Sequence, residues 1–258
     1  MITFDIVTIF PAMIEQPLAA GILGRAIERA TLDVKVRDLR DFTTDRHRVV
    51  DDVPYGGGPG MVLKPDPIFR ALDAIAAERG DRLTVIMTSP QGRRFTQTEA
   101  ERLSGLQHIV LLCGRYEGVD ERVAEHLATD EISVGDFVVS GGELPAAMII
   151  DAVTRLLPGA LGNEASSVNE SFSAEGEPGA DRREAGILDC PHYTRPPDFR
   201  GWGIPEVLLS GHHEEIRKWR RRVALEKTLR NRPELLAAAA LDEEDMQILD
   251  EIRDEEEA

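Results

Sequence analysis

Three short segments, each following an apolar run, carry residue types that can grip a nucleoside through backbone atoms. Leu83-Thr84-Val85-Ile86-Met87 leads into Thr88-Ser89-Pro90-Gln91-Gly92, and Ile109-Val110-Leu111-Leu112-Cys113 leads into Gly114-Arg115-Tyr116-Glu117-Gly118. The segment from Val134 to Ser140 leads into Gly141-Gly142-Glu143-Leu144-Pro145. Glycine at a strand end lets the backbone come close to a ligand, so that N–H and C=O groups can read an adenine edge or a ribose. Each turn alone also fits a simple tight turn; three at one sheet edge favour a cradle. Gly56-Gly57-Gly58-Pro59-Gly60-Met61 lacks the ending of a phosphate loop, and no G-x-G-x-x-G follows a strand, which disfavours a dinucleotide or ATP enzyme. Cys190-Pro191-His192 and His212-His213 lack a four-ligand zinc pattern, so core or turn roles are expected for them and no metal site is read from spacing.

A second cluster points to phosphate. Arg217, Lys218, Arg220, Arg221 and Arg222 fall within six residues, around an apolar stripe of Ile216, Trp219 and Val223 at helical spacing. Such a helix can be a solvated face or an RNA-binding face. The net charge of −17 argues against nucleic acid if read as a sum. The distribution qualifies it, because ten acids and one base lie between Asp242 and Ala258. A local basic stripe on an acidic protein can still bind RNA, and the remaining acidity reads as a solubility device. Two cysteines exclude a disulfide framework. No apolar run approaches the roughly 20 residues of a membrane span, and Met1-Ile2-Thr3-Phe4-Asp5 lacks a signal peptide's basic start. A cytoplasmic protein with no membrane partner is expected.

These residues need a frame. Ile2 to Phe10 and Leu32 to Leu39 read as strands, and Met13 to Ala30 as one helix weakened by Gly21 and Gly24. Asp41 to Val62 reads as loop and Pro65 to Glu78 as helix. Strands at 83–87, 109–113 and Phe137-Val138-Val139 then alternate with helices at Thr96 to Leu103, Val119 to Leu127 and Leu144 to Leu157. That alternation predicts an α/β fold with a parallel sheet covered on both faces. Ligands of such sheets sit beyond the C-terminal strand ends, where the three turns fall. Residues 1–160 form the first predicted domain. Residues 161–203 lack a period and read as a flexible linker. Residues 204–258 read as a helical domain broken at Arg232-Pro233 and ending in an acidic tail with frayed last residues.

Several blocks resemble, in order, the bacterial tRNA (guanine-N1)-methyltransferase family. They are Asp45-Arg46-His47-Arg48; Val50-Asp51-Asp52; Pro54 to Met61; Cys113 to Arg122; Ser133 to Pro145; Leu188-Asp189-Cys190-Pro191-His192-Tyr193-Thr194-Arg195-Pro196; and Val207-Leu208-Leu209-Ser210-Gly211. The resemblance runs from residue 2 to about residue 240. It implies a trefoil-knotted SPOUT domain followed by a small helical domain, and a homodimer with the active site at its interface. The knot follows from the resemblance alone, since chains in general do not knot. The resemblance further implies methylation of guanine 37 of tRNA, beside the anticodon, with S-adenosylmethionine as donor. Its pocket would comprise Met87, Thr88, Ser89, Pro90, Gly114, Tyr116, Glu117, Ser133, Val134, Gly135, Phe137, Val139, Gly141, Gly142 and Pro145. Glu117 is expected near the positive end of the donor; a helix-start carboxylate is its other reading.

Guanine N1 carries a proton and is a poor nucleophile, so a base must take that proton as the methyl arrives. Charge then grows on O6, where a cation would stabilise it. The family's base is an aspartate in an Asp-Ser-Phe triplet. Here the triplet is Glu170-Ser171-Phe172, a departure that puts one methylene more into the reach. Glu164 is the next candidate. Arg155 matches the family's arginine near O6. Magnesium is a further expectation from the resemblance. Ser173 to Gly186 is longer than the usual connection and reads as a mobile loop. Arg46, His47 and Arg48, with the five basic residues between Arg217 and Arg222, are the expected phosphate contacts for a base that leaves its stack. A ribose 2′-O-methyltransferase and a non-catalytic RNA binder are the competing readings.

Overall fold

The computed structural model describes residues 1–80, 82–162, 170–173 and 186–257, which fall into two compact units, Met1–Gly162 and Asn163–Ala258. In the first unit β1 (Ile2–Thr8), β2 (Leu32–Asp38), β5 (Thr84–Arg94), β6 (His108–Cys113) and β7 (Asp130–Ser133) form one sheet in the order β2-β1-β6-β5-β7. All its neighbours run parallel. A two-stranded pair, β3 (Asp51–Asp52) with β4 (Val62–Leu63), lies outside it.

The alternation of β1 explains why the sheet is covered on both sides. Phe4 and Ile6 enter a core shared with α1 (Ala12–Leu18), α2 (Gly21–Glu28), α4 (Gln97–Ser104) and α6 (Glu143–Arg155). Val7 and Ile9 enter a second core with α3 (Pro65–Arg79) and α5 (Glu121–His126). Each fully buried Ile, Leu or Phe contributes about 1.5–3 kcal/mol. One charged group interrupts β1. Asp5 is fully buried, receives hydrogen bonds from Arg37 (2.6 Å) and His108 (2.9 Å), and has Arg79 at 3.4 Å. Its desolvation is offset by those partners.

The helices start and stop where backbone chemistry requires. Pro65 sits in the first turn of α3, where its missing N–H costs nothing. Thr96 caps α4, its hydroxyl accepting from the Glu99 N–H. The single helix expected over Met13–Ala30 is two, α1 and α2, separated by Ala19 and Ala20, with Gly21 at φ +63° opening the second. The strand expected at Phe137–Val139 is loop. The last strand of the sheet is β7, which ends at Ser133, and Val138 beyond it is 84% exposed. A β-branched pair mimicked a strand there, whereas the buried apolar residue that pairs with β5 is Ile132.

In the second unit α7 (His213–Asn231), α8 (Pro233–Ala238) and α9 (Glu243–Glu257) share a small core of Leu225, Leu249 and Ile252. The stripe Ile216, Trp219, Val223 is only half-buried; Ala224, Leu225 and Thr228 face the core instead. The tail expected to fray is helical, since α9 continues to Glu257. Within the stretch read as linker, β8 (Asp198–Phe199) and β9 (Trp202–Gly203) pair as a small hairpin. Among the described residues no helix is long and apolar enough to cross a membrane.

Candidate cofactor turns and catalytic residues

The second and third turns meet beyond β6 and β7, beside an irregular stretch of β5; residues 88–92, expected as a turn after a strand at 83–87, lie within β5, which runs on to Arg94. Thr88, at the end of the buried part of β5, is 6% exposed, and its hydroxyl donates to the Leu112 carbonyl at 3.1 Å. Beyond it the β5–β7 register slips between Thr88 and Arg93, so Ser89, Pro90, Gln91 and Gly92 leave the ladder. The second turn touches the third twice. The Gly142 N–H donates to the Gly114 carbonyl at 2.9 Å, and Arg115 pairs antiparallel with Gly141. Arg115 also closes the junction, bonding Glu143 (2.9 Å) and the Ser140 carbonyl (3.1 Å), with its guanidinium 4.5 Å from the Phe10 ring centroid. Glu143 is buried at the first turn of α6 and accepts a second bond from Thr8 at 2.6 Å. Those donors and the helix dipole offset the desolvation of its carboxylate.

The glycines of the third turn have a different cause from the one expected. A Cβ on Gly142 would overlap Thr88 Oγ1 and lie 2.8 Å from Cys113 Cα and 3.0 Å from the Gly114 nitrogen. A Cβ on Gly141 would overlap the Arg115 guanidinium. These residues are small because turn packs on turn.

Tyr116 is a non-glycine residue at φ +61°, a conformation that costs of order 1–3 kcal/mol. Two bonds hold it, from the Gly118 N–H to Arg115 O (3.1 Å) and from the Glu117 N–H to Met61 O (3.0 Å). The second brings the glycine-rich loop Pro54–Met61 onto this turn. Glu117 is exposed, as are Tyr116 and, from the third segment, Phe137 and Val139. Ser133 is buried and its hydroxyl bonds the Gly135 carbonyl at 3.0 Å. Met87 and Pro145 are buried, and Val134 is half-buried. The rim thus offers exposed backbone, two aromatic rings and one carboxylate around closely packed glycines, a combination suited to a ligand with a flat base and a cationic end.

Arg155 is the last residue of α6 and half-buried. Glu170 belongs to the second unit, where it opens a turn closed by the Ser173 N–H on the Glu170 carbonyl at 3.1 Å. Glu164 and residues 174–185, most of the long connection, lie outside the described residues.

The basic residues divide. Arg217 bonds Glu214 (2.8 Å) and Glu244 (3.2 Å), Arg221 grips buried Asp245 through both Nε and Nη2 at 2.6 Å, and Arg222 bonds Glu251 (2.8 Å) and Glu255 (2.7 Å). All but Glu214 of these carboxylates lie on α9, so the acidic tail lies along the basic face of α7. Burial works against ionisation of Asp245, yet the Arg221 hydrogen bonds and the Asp242 N–H hold its carboxyl below the usual range. Lys218 and Arg220 are exposed, with no ion pair among the described residues. In the first unit Arg48 is turned onto Asp41 and the Arg40 carbonyl, while Arg46 and His47 are exposed. A cavity of about 470 Å³ beside them is lined by Thr43, Asp45, Lys64 and Arg70 among others, and includes none of the three turns.

Among the described residues, one group of metal-ligating atoms comes together, at Asp189, Cys190 and His192. Magnesium prefers six oxygen ligands, and a set of one carboxylate, one thiol and one imidazole does not fit it. Burial pushes the Cys190 thiol up, with the neighbouring Asp189 carboxylate adding to the effect. His192 already bonds Asp189 at 2.9 Å. This cluster is therefore not a magnesium site.

The family model described as tRNA (Guanine-1)-methyltransferase TrmD matches residues 2–238. The chain belongs to this family. Curated relatives named tRNA (guanine-N(1)-)-methyltransferase match it over almost their whole length. One from Koribacter versatilis is 56% identical over 257 residues, covering 96% of this chain and 97% of its own. Others, from Geobacter metallireducens and Dictyoglomus turgidum, are each 50% identical, covering 97% and 99% of this chain and 98% of their own. The family match includes the three turns, Arg155, Glu170 and α7, and ends before α9 begins. Sequence reading missed Arg115 and Glu143, which join two turns to α6. A carboxylate placed directly after Gly141-Gly142 at a helix start was the available signal.

Proposed function

We propose that the chain transfers the methyl group of S-adenosylmethionine to N1 of guanine 37 in tRNA. The observation that carries this reading is the meeting of the second and third turns beside the irregular stretch of β5 in a chain of this family. The donor supplies an electrophilic methyl on a sulfonium. The backbone from Met87 to Pro90, of Gly114 and Tyr116, and from Ser133 to Gly135 would hold its adenosine. Phe137, Val139, Gly141, Gly142 and Pro145 would close the same pocket, and the Glu117 carboxylate would face its positive end. The turns belong to a SPOUT-class domain, whose trefoil knot is part of the proposal.

Glu170 is the proposed general base for the N1 proton. A carboxylate within hydrogen-bond reach of N1 can accept it as the methyl arrives. Arg155 is the proposed cation at O6, where a fixed guanidinium stabilises developing charge better than water. Lys218, Arg220 and Arg46 are the exposed cations that would meet phosphate, with the exposed His47 beside Arg46. Arg48, Arg217, Arg221 and Arg222 would have to exchange carboxylate partners for it. Function as a cytoplasmic homodimer, with the active site at its interface, completes the proposal.

Single-turnover methyl transfer tests the chemistry. Glu170→Ala should slow the step at least about tenfold, equivalent to ~1.4 kcal/mol of barrier, with donor affinity retained. A wild-type rate would refute the assignment of the base.

A further inference from the structure

We propose that Thr228 on α7 is a positioning residue for Glu170; the idea rests on Glu170 being the base. A hydrogen-bonded path connects the two. The Thr228 side chain is fully buried, and its single hydroxyl is used twice. It donates to the Ala224 carbonyl at 2.7 Å and accepts from the Leu188 N–H at 3.0 Å. Leu188 is the middle of a short extended segment. On one side of it the Ile187 carbonyl accepts from the Phe172 N–H at 3.0 Å. On the other the Asp189 N–H donates to the Ser171 hydroxyl at 2.9 Å. The turn Glu170–Ser173 is therefore laced to residues 187–189, and those residues hang from Thr228.

Two further contacts hold the same segments against the helices. Ile187 packs against the core formed by Leu225, Leu249 and Ile252. The Thr228 carbonyl accepts the Arg232 N–H at 2.8 Å, ending α7, and the Arg232 guanidinium lies 5.8 Å from the centre of the Phe172 ring. Phe172 itself has φ +70°, a conformation a free chain of this residue type rarely adopts. The backbone next to Glu170 is thus tied, through residues 187–189, to a helix. General bases tolerate little displacement, since a shift of about 1 Å can cost on the order of 100-fold in rate.

The test is a double-mutant cycle in the full-length protein, read by single-turnover rate, donor affinity and pH profile. Thr228→Val keeps the shape of the side chain and removes both hydrogen bonds. It should slow methyl transfer roughly 10- to 100-fold with S-adenosylmethionine affinity unchanged, and Thr228→Ser should restore most of the rate. In a Glu170→Gln background, Thr228→Val should cost nothing more, because the group it positions is gone. A slow Glu170→Gln beside a wild-type Thr228→Val would overturn the positioning role alone, as would full additivity of the two changes. A wild-type rate for Glu170→Gln would instead defeat the base assignment on which it rests. If Thr228→Val does not fold, Ser171→Ala cuts the same lacing at its other end. It should show the same coupling to Glu170, and an unchanged rate would overturn the proposal.

Discussion

Replacing Gly142 by alanine probes the junction of the turns proposed to hold the methyl donor. Gly142 has φ −78°, so alanine meets no backbone strain there. The whole effect comes from space. The new methyl would overlap Thr88 Oγ1, and a hydroxyl can rotate away, although this one would lose its 3.1 Å bond to Leu112. It would also lie 2.8 Å from Cys113 Cα and 3.0 Å from the Gly114 nitrogen, which are backbone atoms and cannot rotate away. The second and third turns must separate by several tenths of an ångström, stretching the 2.9 Å bond from Gly142 to Gly114. Overpacking of this kind costs about 1–3 kcal/mol. At roughly 2–4 °C per kcal/mol for a domain of this size, the melting temperature should fall by several degrees. Donor affinity, measured by calorimetric titration, should fall, by about tenfold for each ~1.4 kcal/mol of that cost borne by the proposed binding edge. Gly162→Ala is the control, because its methyl would meet nothing within 4 Å among the described residues. If Gly142→Ala melted and bound the donor like the wild type, the view that turn packing shapes this site would fail.

Other outcomes follow from the same geometry. Asp5→Ala leaves Arg37 and His108 without their buried partner, and should destabilise the first unit by about 3–5 kcal/mol in denaturant unfolding. Glu251→Gln with Glu255→Gln releases Arg222, so tRNA affinity should rise and its logarithm should fall more steeply with the logarithm of salt; unchanged affinity would remove Arg222 from the RNA contacts. Asp245 has a folded pKa below its unfolded value near 3.8, so its stabilisation is complete above that value. It is lost as pH falls through the lower folded value, and thermal scans of the helical unit below about pH 4 should lose part of this dependence in Asp245→Asn. Burial pushes the Cys113 thiol well up, so it should resist alkylation at neutral pH until the protein unfolds.

The parallel α/β character was legible because long apolar runs such as Ile109–Cys113 alternate with helical periods. The order β2-β1-β6-β5-β7 was not, since pairing depends on contacts distant in sequence. Phe137–Val139 misled for a local reason. Aromatic and β-branched residues favour strands where they are buried on a pleat, and here they stand exposed on a rim. The turns were legible from their glycines, but the purpose of Gly141 and Gly142 was not. Glycine records that something comes close without recording what, and here it is Thr88 and Arg115. On α7 the basic cluster was plain in sequence, whereas the pairing of Arg217, Arg221 and Arg222 with Glu244, Asp245, Glu251 and Glu255 needed the return of α9 along the same face. The acidic tail is therefore structural in part, and not solely a solvated extension. The Glu170-Ser171-Phe172 triplet stood out by resemblance, but its attachment to Thr228 could not, since 56 residues separate Phe172 from Thr228 and their bonds run through the backbone.

The central claim is that this chain methylates guanine N1 beside the anticodon. The direct measurement is to incubate it with methyl-labelled S-adenosylmethionine and an unmodified tRNA carrying guanine 37, then digest the RNA and identify the labelled nucleoside and its position. The account predicts 1-methylguanosine at position 37, and no label in a transcript with another base there. Label on a ribose 2′-oxygen, at another position, or nowhere would contradict it.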